Sequence, residues 1–176
     1  MIFTELPLSG AVVVDLECHH DQRGFFARTW DAEVGAERGL ARQFVQASIS
    51  WNPRAGTLRG MHWQAAPHQE VKLVRVTAGA IHDVIIDLRP DSPTFRQHVG
   101  VRLDAANRRA LYIPEGFAHG FLTLVEDTEV SYQMTALYTP EAARGLRFDD
   151  PQFGIKWPAA VQVISPRDAA YPDFTG

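Results

Sequence analysis

Three residues of this chain have the types and positions needed for proton transfer. His62 lies in the run Arg59-Gly60-Met61-His62-Trp63-Gln64, and Lys72 and Tyr132 follow ten and seventy positions later, each on a strand-like stretch. An imidazole titrates near neutral pH and suits a general base. A lysine ammonium can stabilise developing negative charge, and a tyrosine hydroxyl can donate a proton. A base, a cation and an acid can therefore converge in one interior.

The alternation of side chains along a strand supports an inward position for two of them. Tyr132 shares an apolar face with Val130, and Lys72 shares one with Val74. Each residue also has a plain structural interpretation. Tyr132 can be a core tyrosine whose hydroxyl finds a partner, Lys72 can extend its ammonium to solvent, and His62 can be a structural histidine.

The composition suits a compact enzyme made of one domain, residues 1–176. The chain has 176 residues, of which 45% are hydrophobic and 22% charged, enough for a sizeable core. Its 17 basic and 21 acidic residues give a net charge of -4, which does not favour nucleic acid or an anionic membrane as partner. Any phosphate site must be local.

The expected compartment is the cytoplasm. Cys18 is the single cysteine and cannot form an internal disulfide. Residues 1–16 lack a basic leader, and no apolar run approaches the roughly 18 residues that span a bilayer.

The elements that must position these residues are strands. Period-2 segments rich in branched and aromatic residues are 11–16, 71–76, 81–88, 98–103, 111–113, 120–125 and 129–137. Turns rich in Gly and Pro separate them. The pattern predicts a mainly β protein, an antiparallel barrel or jelly roll. A short peripheral helix is predicted at residues 31–38, and turns are predicted at 104–108 and 140–144. The tail after Trp157 is expected to wrap the surface.

One short motif points to the cupin barrel, although it is weak alone. Pro114-x-Gly116-x-x-His119 has the spacing of the second half of the cupin signature. Metal-binding cupins carry two further histidines and a glutamate in the first half, where this chain offers only His62. His68, His82 and His119 remain open as ligands of an incomplete site, but catalytic zinc usually needs three protein ligands. We expect no metal.

Longer motifs resemble those of the dTDP-4-dehydrorhamnose 3,5-epimerase family. They are Asp21-x-Arg23-Gly24-Phe25-Phe26, Arg59-Gly60-x-His62-x-Gln64, Lys72-Leu73-Val74-Arg75, the run 113–121, Asp149-Asp150-Pro151, Gly154-Ile155-x-Trp157-Pro158 and Ser165-x-x-Asp168-Ala169-Ala170. The resemblance covers nearly the whole chain in order. It implies a cupin jelly-roll barrel with a few short peripheral helices, used as a homodimer without metal or cofactor. The implied substrate is a nucleoside diphosphate 4-keto-6-deoxyhexose.

The resemblance assigns a role to four residues. A ketone at C4 acidifies the protons at C3 and C5, and inversion removes a proton on one face and returns one on the other. His62 would be the base and Asp168 its dyad partner. Lys72 would stabilise the enolate oxygen, and Tyr132 would reprotonate from the far side. Alone, Asp168 could equally be a cap in a surface loop.

The resemblance also implies a set of substrate-binding residues. They are Arg23, Arg59 and Arg167 for the diphosphate, Tyr138 and Phe26 for the nucleobase, and His119 and Gln46 for other contacts. Arg23 is expected to reach the site from the dimer partner through an exchanged N-terminal segment. Regular alternation would send Arg59 and His62 to opposite faces, so Gly60 is expected to mark a bulge or a strand end.

The chain departs from the family at several recognition positions. Ala47 and Ser48 replace the usual Asp and Asn, Arg28 and Glu70 replace a usual Glu and Gln, and Ala143-Arg144 occupy the place of another Glu. The main expectation is inversion of C3 and C5 of dTDP-4-dehydro-6-deoxy-D-glucose. The alternatives are inversion of one carbon, a different nucleotide-linked sugar, a ketoisomerase, which the Tyr132 acid argues against, and a non-catalytic sugar-nucleotide-binding or metal-binding cupin.

Overall fold

A computed structural model describes residues 1–175 of the chain. In chain order the first seven strands are β1 (Ile2–Glu5), β2 (Val12–Asp15), β3 (His19–Asp21), β4 (Gly24–Phe26), β5 (Gln46–Asn52), β6 (Thr57–Gln64) and β7 (Lys72–Ala78). The next seven are β8 (Ala80–Asp87), β9 (His98–Asp104), β10 (Ala110–Ile113), β11 (Phe117–Thr123), β12 (Thr128–Met134), β13 (Ala143–Gly145) and β14 (Val163–Ile164). Antiparallel pairing of most of these strands forms a jelly-roll barrel.

Helices are short. Helix α1 (Ala32–Glu37) begins at Asp31, whose side chain accepts hydrogen bonds from the amides of two residues in the first turn. A 3-10 turn covers Pro140–Ala142. Helix α2 (Pro166–Ala169) begins at Ser165, and the side chain of Ser165 accepts from the amide of Asp168.

Two sheets form the barrel. The first has the order β1-β2-β10-β7-β12-β5, and the second has the order β13-β6-β11-β8-β9, with β14 pairing in parallel along β6. β3 and β4 form a separate hairpin. Because Lys72 and Tyr132 belong to the first sheet and His62 to the second, the chemistry-bearing residues approach the interior from different sheets.

The main core lies between the two sheets. Its fully buried members include Leu8, Val74, Val76, Ile81, Ile85, Leu103, Leu111, Ile113, Phe121 and Val130. Burying these apolar side chains away from water is the main driving force for folding. Tyr132 packs against the same cluster, so this part of the site rests on the apolar core.

The structure confirms the predicted mainly β class and corrects several boundaries. The strand expected at 120–125 runs over Phe117–Thr123, and the strand expected at 129–137 ends at Met134. The tail does not merely wrap the surface, because it adds β14 to β6 and carries α2 to the interior. Within residues 1–175, no helix is long and apolar enough to cross a membrane.

Candidate active site

A cavity of about 570 Å³ opens between the two sheets. The polar residues that line it are Ser50, Thr57, Arg59, His62, Lys72, His119, Tyr132, Ser165, Arg167 and Asp168. The apolar part of the wall includes Leu58 and Phe121. Seven of the residues that the sequence analysis proposed therefore line one cavity, among them all four with proposed catalytic roles.

A histidine and a carboxylate form a close pair on one wall of this cavity. Nε2 of His62 on β6 lies 2.8 Å from Oδ1 of Asp168 on α2, and Oδ2 of Asp168 accepts from the Gly60 amide at 3.2 Å. Burial alone would raise the pKa of Asp168, but the hydrogen bond and charge of His62, with the Gly60 amide, hold that pKa below its ordinary value. The carboxylate is therefore ionised at neutral pH, and it can orient the ring and stabilise an imidazolium.

Gly60 explains how Arg59 and His62 can both reach the cavity, although regular alternation along β6 would send them to opposite faces. His62 pairs with His119, whereas Arg59 pairs with Phe121, so the register between β6 and β11 shifts at Gly60. Gly60 has φ of 126°, and a Cβ there would lie 2.5 Å from Cα of Gly120. Only glycine fits this backbone conformation and this close approach. The irregularity brings both Arg59 and His62 to the cavity, as the expected bulge required.

A buried asparagine holds Arg59. Nε of Arg59 donates to Oδ1 of Asn52 at 2.7 Å, and Nδ2 of Asn52 donates to the Thr128 carbonyl at 3.0 Å. Asn52 is fully buried, and both ends of its amide are used. The pairing occupies Nε and leaves the two terminal nitrogens of the guanidinium for another ligand, the arrangement suited to a phosphate.

Tyr132 reaches the cavity from the opposite sheet. Its hydroxyl lies 3.3 Å from Oγ of Ser50 on the neighbouring strand β5. Burial raises the pKa of Tyr132 well above its ordinary value of 10.0; the Ser50 hydrogen bond counteracts this in part, while the charge of Asp83 raises the pKa further. The phenol therefore stays protonated across the neutral range, as a proton donor must.

A second histidine and carboxylate pair lies deeper in the barrel. Nε2 of His119 on β11 is 2.5 Å from Oδ1 of Asp83 on β8, and both side chains are buried. The His119 ring also meets the Tyr132 ring edge to face, with centroids 6.3 Å apart. Asp83 thus fixes the ring that packs against the tyrosine from the side of the core.

Lys72 lies at the start of β7 beside the His62 wall. Its Nζ lies 3.2 Å from Oε1 of Glu70 and 3.5 Å from the carbonyl oxygen of His62. The side chains of Lys72 and Glu70 are only 14% and 11% exposed, so this ion pair is largely withdrawn from solvent.

Some proposed binding residues lie outside the main cavity. Arg23 and Phe26 project from the β3–β4 hairpin, and their exposures are 89% for the Arg23 side chain and 70% for Phe26. Oε1 of Gln46 accepts from the Tyr138 amide at 2.7 Å and does not line the cavity. Tyr138 borders an adjoining cavity of about 210 Å³, which Arg167 also lines.

Several residues that contact the proposed site residues were not expected from the sequence. Among them are Ser50, Asn52, Asp83 and Glu70, the last of which was noted only as a departure from the family. Asp83 could have been noticed in the sequence, because it is a charged residue inside the apolar strand that begins Ile81-His82-Asp83-Val84. Within residues 1–175, no group of three or more His, Cys, Asp or Glu side chains is arranged to hold a metal ion.

Comparison with known proteins gives consistent matches over nearly the whole chain. Residues 5–176 match the family model described as dTDP-4-dehydrorhamnose 3,5-epimerase. The protein of that name from Methanothermobacter thermautotrophicus is 44% identical over 169 residues, which are 94% of this chain and 90% of the relative.

Solved structures are similar as well. The Bacillus anthracis dTDP-4-dehydrorhamnose 3,5-epimerase with TDP and PPi bound superposes with a TM-score of 0.94 at 39% identity, covering 98% of this chain and 99% of that one. The Legionella pneumophila dTDP-6-deoxy-D-glucose-3,5-epimerase in complex with dTDP-4-keto-L-rhamnose gives 0.91 at 38% identity, covering 98% and 92%. A 3'-monoepimerase from Streptomyces bikiniensis in complex with dTDP-quinovose also matches, with a TM-score of 0.88 at 29% identity, covering 96% and 85%.

Proposed function

Because the chain belongs to the dTDP-4-dehydrorhamnose 3,5-epimerase family, we propose that it converts dTDP-4-dehydro-6-deoxy-D-glucose to dTDP-4-dehydro-L-rhamnose. It is an isomerase, and the proposed reaction inverts C3 and C5 without a cofactor. One observation carries the mechanism: the His62–Asp168 pair and the Tyr132 hydroxyl line the same cavity from opposite sheets. Inversion needs a proton acceptor and a proton donor on two faces of the sugar, which this arrangement supports.

His62 is the base in this proposal. The proton at C3 or C5 is acidified by the ketone at C4, and the ring nitrogen Nδ1 of His62 accepts it. Asp168 accepts the hydrogen bond from Nε2, which selects the tautomer whose Nδ1 is free of a proton. The imidazolium that forms is stabilised by the adjacent carboxylate.

Lys72 and Tyr132 complete the reaction. When the proton leaves, its electron pair moves toward the C4 oxygen, and the Lys72 ammonium stabilises the resulting enolate. The Tyr132 hydroxyl then returns a proton to the carbon from the opposite face. Before the next turnover the His62 imidazolium gives up its proton to solvent and the tyrosinate takes one up from solvent, so the net change is inversion at that carbon.

Arg59 binds the diphosphate in this scheme, because Asn52 holds Nε and no residue among 1–175 accepts a hydrogen bond from the two terminal nitrogens. Arg167 adds a second positive charge at the same cavity. His119 faces the substrate beside Tyr132. Tyr138 and Gln46 border the nucleobase in the same scheme, and the Tyr138 backbone amide donates to Oε1 of the Gln46 side chain.

The test is proton NMR with dTDP-4-keto-6-deoxyglucose in deuterium oxide, followed by trapping with a C4 reductase. Deuterium at both C3 and C5, with an L-rhamnose product, is the expected result. His62→Ala should abolish exchange at both carbons, and exchange at the wild-type rate in that variant would remove His62 from the role of base. Exchange in the wild type with a UDP-, CDP- or GDP-linked sugar but not the dTDP sugar would contradict the proposed substrate.

Inversion of a single carbon is the second candidate. The similarity to a 3'-monoepimerase of the same fold supports keeping it. Deuterium at only one carbon, with retention at the other, would establish this candidate and contradict double inversion. A folded protein that binds dTDP but exchanges neither carbon would instead indicate a binding protein.

We also propose that the enzyme acts as a cytoplasmic homodimer with an exchanged N-terminal segment. The exposed apolar residues Ile49 and Trp51 lie on the edge strand β5, and Arg23 and Phe26 extend from the β3–β4 hairpin. Such an edge favours pairing with a second copy. Arg23 would then serve the diphosphate of the partner's site.

Subunit mixing tests the exchange. Arg23→Ala and His62→Ala subunits are each inactive by this proposal, but a mixed dimer has both lesions in one site and an intact second site. Random reassortment should therefore restore about a quarter of wild-type activity. No recovery in mixed dimers verified by light scattering would mean that Arg23 serves its own chain.

A further inference from the structure

Glu70 contacts two donors at the edge of the cavity. Oε1 of Glu70 lies 3.2 Å from Nζ of Lys72, and Oε2 accepts from Nε2 of Gln64 at 3.2 Å. The carboxylate is mostly buried, and it lines the smaller cavity next to His62. An anion so close to the cation of an enolate site needs an explanation, because it reduces the net positive charge offered to the substrate.

The orientation of Gln64 is fixed by its other contacts. Oε1 of Gln64 accepts from the Thr139 amide at 2.6 Å. The two N–H groups of Nε2 are shared among three acceptors, which are Oε2 of Glu70 and the carbonyl oxygens of His68 and Leu137. Gln64 is buried, with 3% exposure. Its amide cannot rotate by half a turn without losing these bonds, so it presents a donor to Glu70.

Two donors therefore converge on residue 70, and a carboxylate satisfies both. A glutamine at position 70 would have one acceptor oxygen and one NH₂ group. Its NH₂ group would therefore face another donor, either the NH₂ of Gln64 or the ammonium of Lys72. Gln64 belongs to β6 and its partners to the loop after β6 and the segment after β12. Glu70 thus connects Lys72 to a rigid network outside the reacting wall.

The ammonium of Lys72 gains a defined direction from this arrangement. Glu70 and the His62 carbonyl are its two acceptors within residues 1–175, and all three residues line the smaller cavity. An ammonium has three N–H groups, and the third is left for an oxygen in the cavity. Without Glu70 the flexible four-carbon chain would lose its closer anchor.

We propose that Glu70 is the positioning residue of Lys72, holding its ammonium at the place where the C4 oxygen becomes negative. The inference rests on the role given to Lys72 in the proposed function. It assigns Glu70 an effect on the chemical step through Lys72, with no direct contact to the reacting atoms. Glu70→Gln should accordingly lower the rate of deuterium exchange about tenfold while leaving the affinity for dTDP unchanged.

A double-mutant cycle separates positioning from a structural role. Exchange rates, dTDP affinity and unfolding by urea are measured for the wild type, Glu70→Gln, Lys72→Met and the double variant. We expect Glu70→Gln to have less than about a twofold effect in the Lys72→Met background. Glu126→Gln, on an exposed turn, is the matched control for loss of one negative charge.

Three results would overturn the proposal. Wild-type or faster exchange in Glu70→Gln would show that the pair is not needed, and the same loss in both backgrounds would show that Glu70 only supports the fold. Wild-type exchange in Lys72→Met would remove Lys72 itself from the mechanism. That last result would contradict the proposed role of Lys72, whereas the first two leave it standing.

Discussion

The imidazole of His62 and the carboxylate of Asp168 lie 2.8 Å apart, although 106 residues separate them in the chain. The contact depends on β14, which pairs with the beginning of β6 and delivers α2 to the cavity. The carboxylate also binds the Gly60 amide, so one residue fixes both the ring and the backbone at the irregularity in β6.

Asp168→Asn tests this relationship with little change in shape. A neutral amide cannot stabilise the imidazolium, and its NH₂ group would face either His62 or the Gly60 amide. We expect exchange at both carbons to fall about a hundredfold or more while dTDP affinity stays unchanged. Asp173→Asn removes an exposed carboxylate from the same tail and should have no effect. Exchange near the wild-type rate in Asp168→Asn would refute the dyad.

Tyr132→Phe should separate proton removal from inversion. Because His62 remains, deuterium exchange should stay within about tenfold of the wild type, whereas formation of the inverted product should fall about a hundredfold or more. Equal loss of both would argue against a separate acid.

Burial raises the pKa of Tyr132, so its protonated form persists as pH rises through 10.0. No loss of activity from this group is therefore expected below that pH.

Asn52→Ala should weaken binding more than chemistry. The substitution frees Nε of Arg59, and the guanidinium loses its fixed direction. We expect KM for the sugar nucleotide and Kd for dTDP to rise about tenfold, with kcat changed less than about threefold. Calorimetry with dTDP and with thymidine provides the control. An equal loss of affinity for both ligands would indicate general distortion rather than an effect at the diphosphate.

Asp87 is expected to make stability depend on pH. Burial would raise its pKa, but hydrogen bonds from Arg89, Ser92 and Thr94 lower the pKa to about 2, below the ordinary 3.8. A depressed folded-state pKa contributes stability that is present above the unfolded value and is lost as pH falls through the folded one. The shift corresponds to about 2 kcal/mol at neutral pH.

The measurement is the free energy of unfolding of the wild type and Asp87→Asn, from urea titrations between pH 7 and pH 2. The difference between them should be largest near neutrality and shrink as pH falls from about 4 to about 2, since the carboxylate is protonated near 3.8 in the unfolded chain but only near 2 in the folded protein. Asp91→Asn, an exposed position in the same loop, should show no such trend. A difference that stays constant with pH would mean that the charge of Asp87 is not involved.

The sequence predicted several strands whose side chains alternate clearly and missed others, among them β5, whose pattern is reversed. β7 and β12 alternate between the core and a polar face, and both were found within a few residues. β5 was missed because its apolar residues Ile49 and Trp51 point outward, at an edge strand. Alternation alone cannot distinguish such an edge from a loop.

Many residues of the candidate site could be predicted, because the sequence motifs name them directly. The contacts that support these residues could not be predicted. The inward positions of Lys72 and Tyr132 follow from their strands. Asp168 was named from resemblance, yet Ser165-Pro166-x-Asp168 also carries the cap, proline and acidic residue of a helix start. The contacts of Asn52 and Glu70 depend on which strands become neighbours, and no local pattern contains that information.

The close approach of Gly60 and Gly120 limits how this enzyme can be re-engineered. A side chain on Gly60 would meet the backbone of β11, and one on Gly120 would lie 2.5 Å from the Met61 sulfur, so either change would force apart the strands that carry His62 and His119. Laboratory evolution toward other sugar nucleotides should therefore leave both glycines fixed. Ala143 and Arg144 are better positions for random mutation. Both line the smaller cavity, and changing them leaves the contact between Gly60 and Gly120 intact.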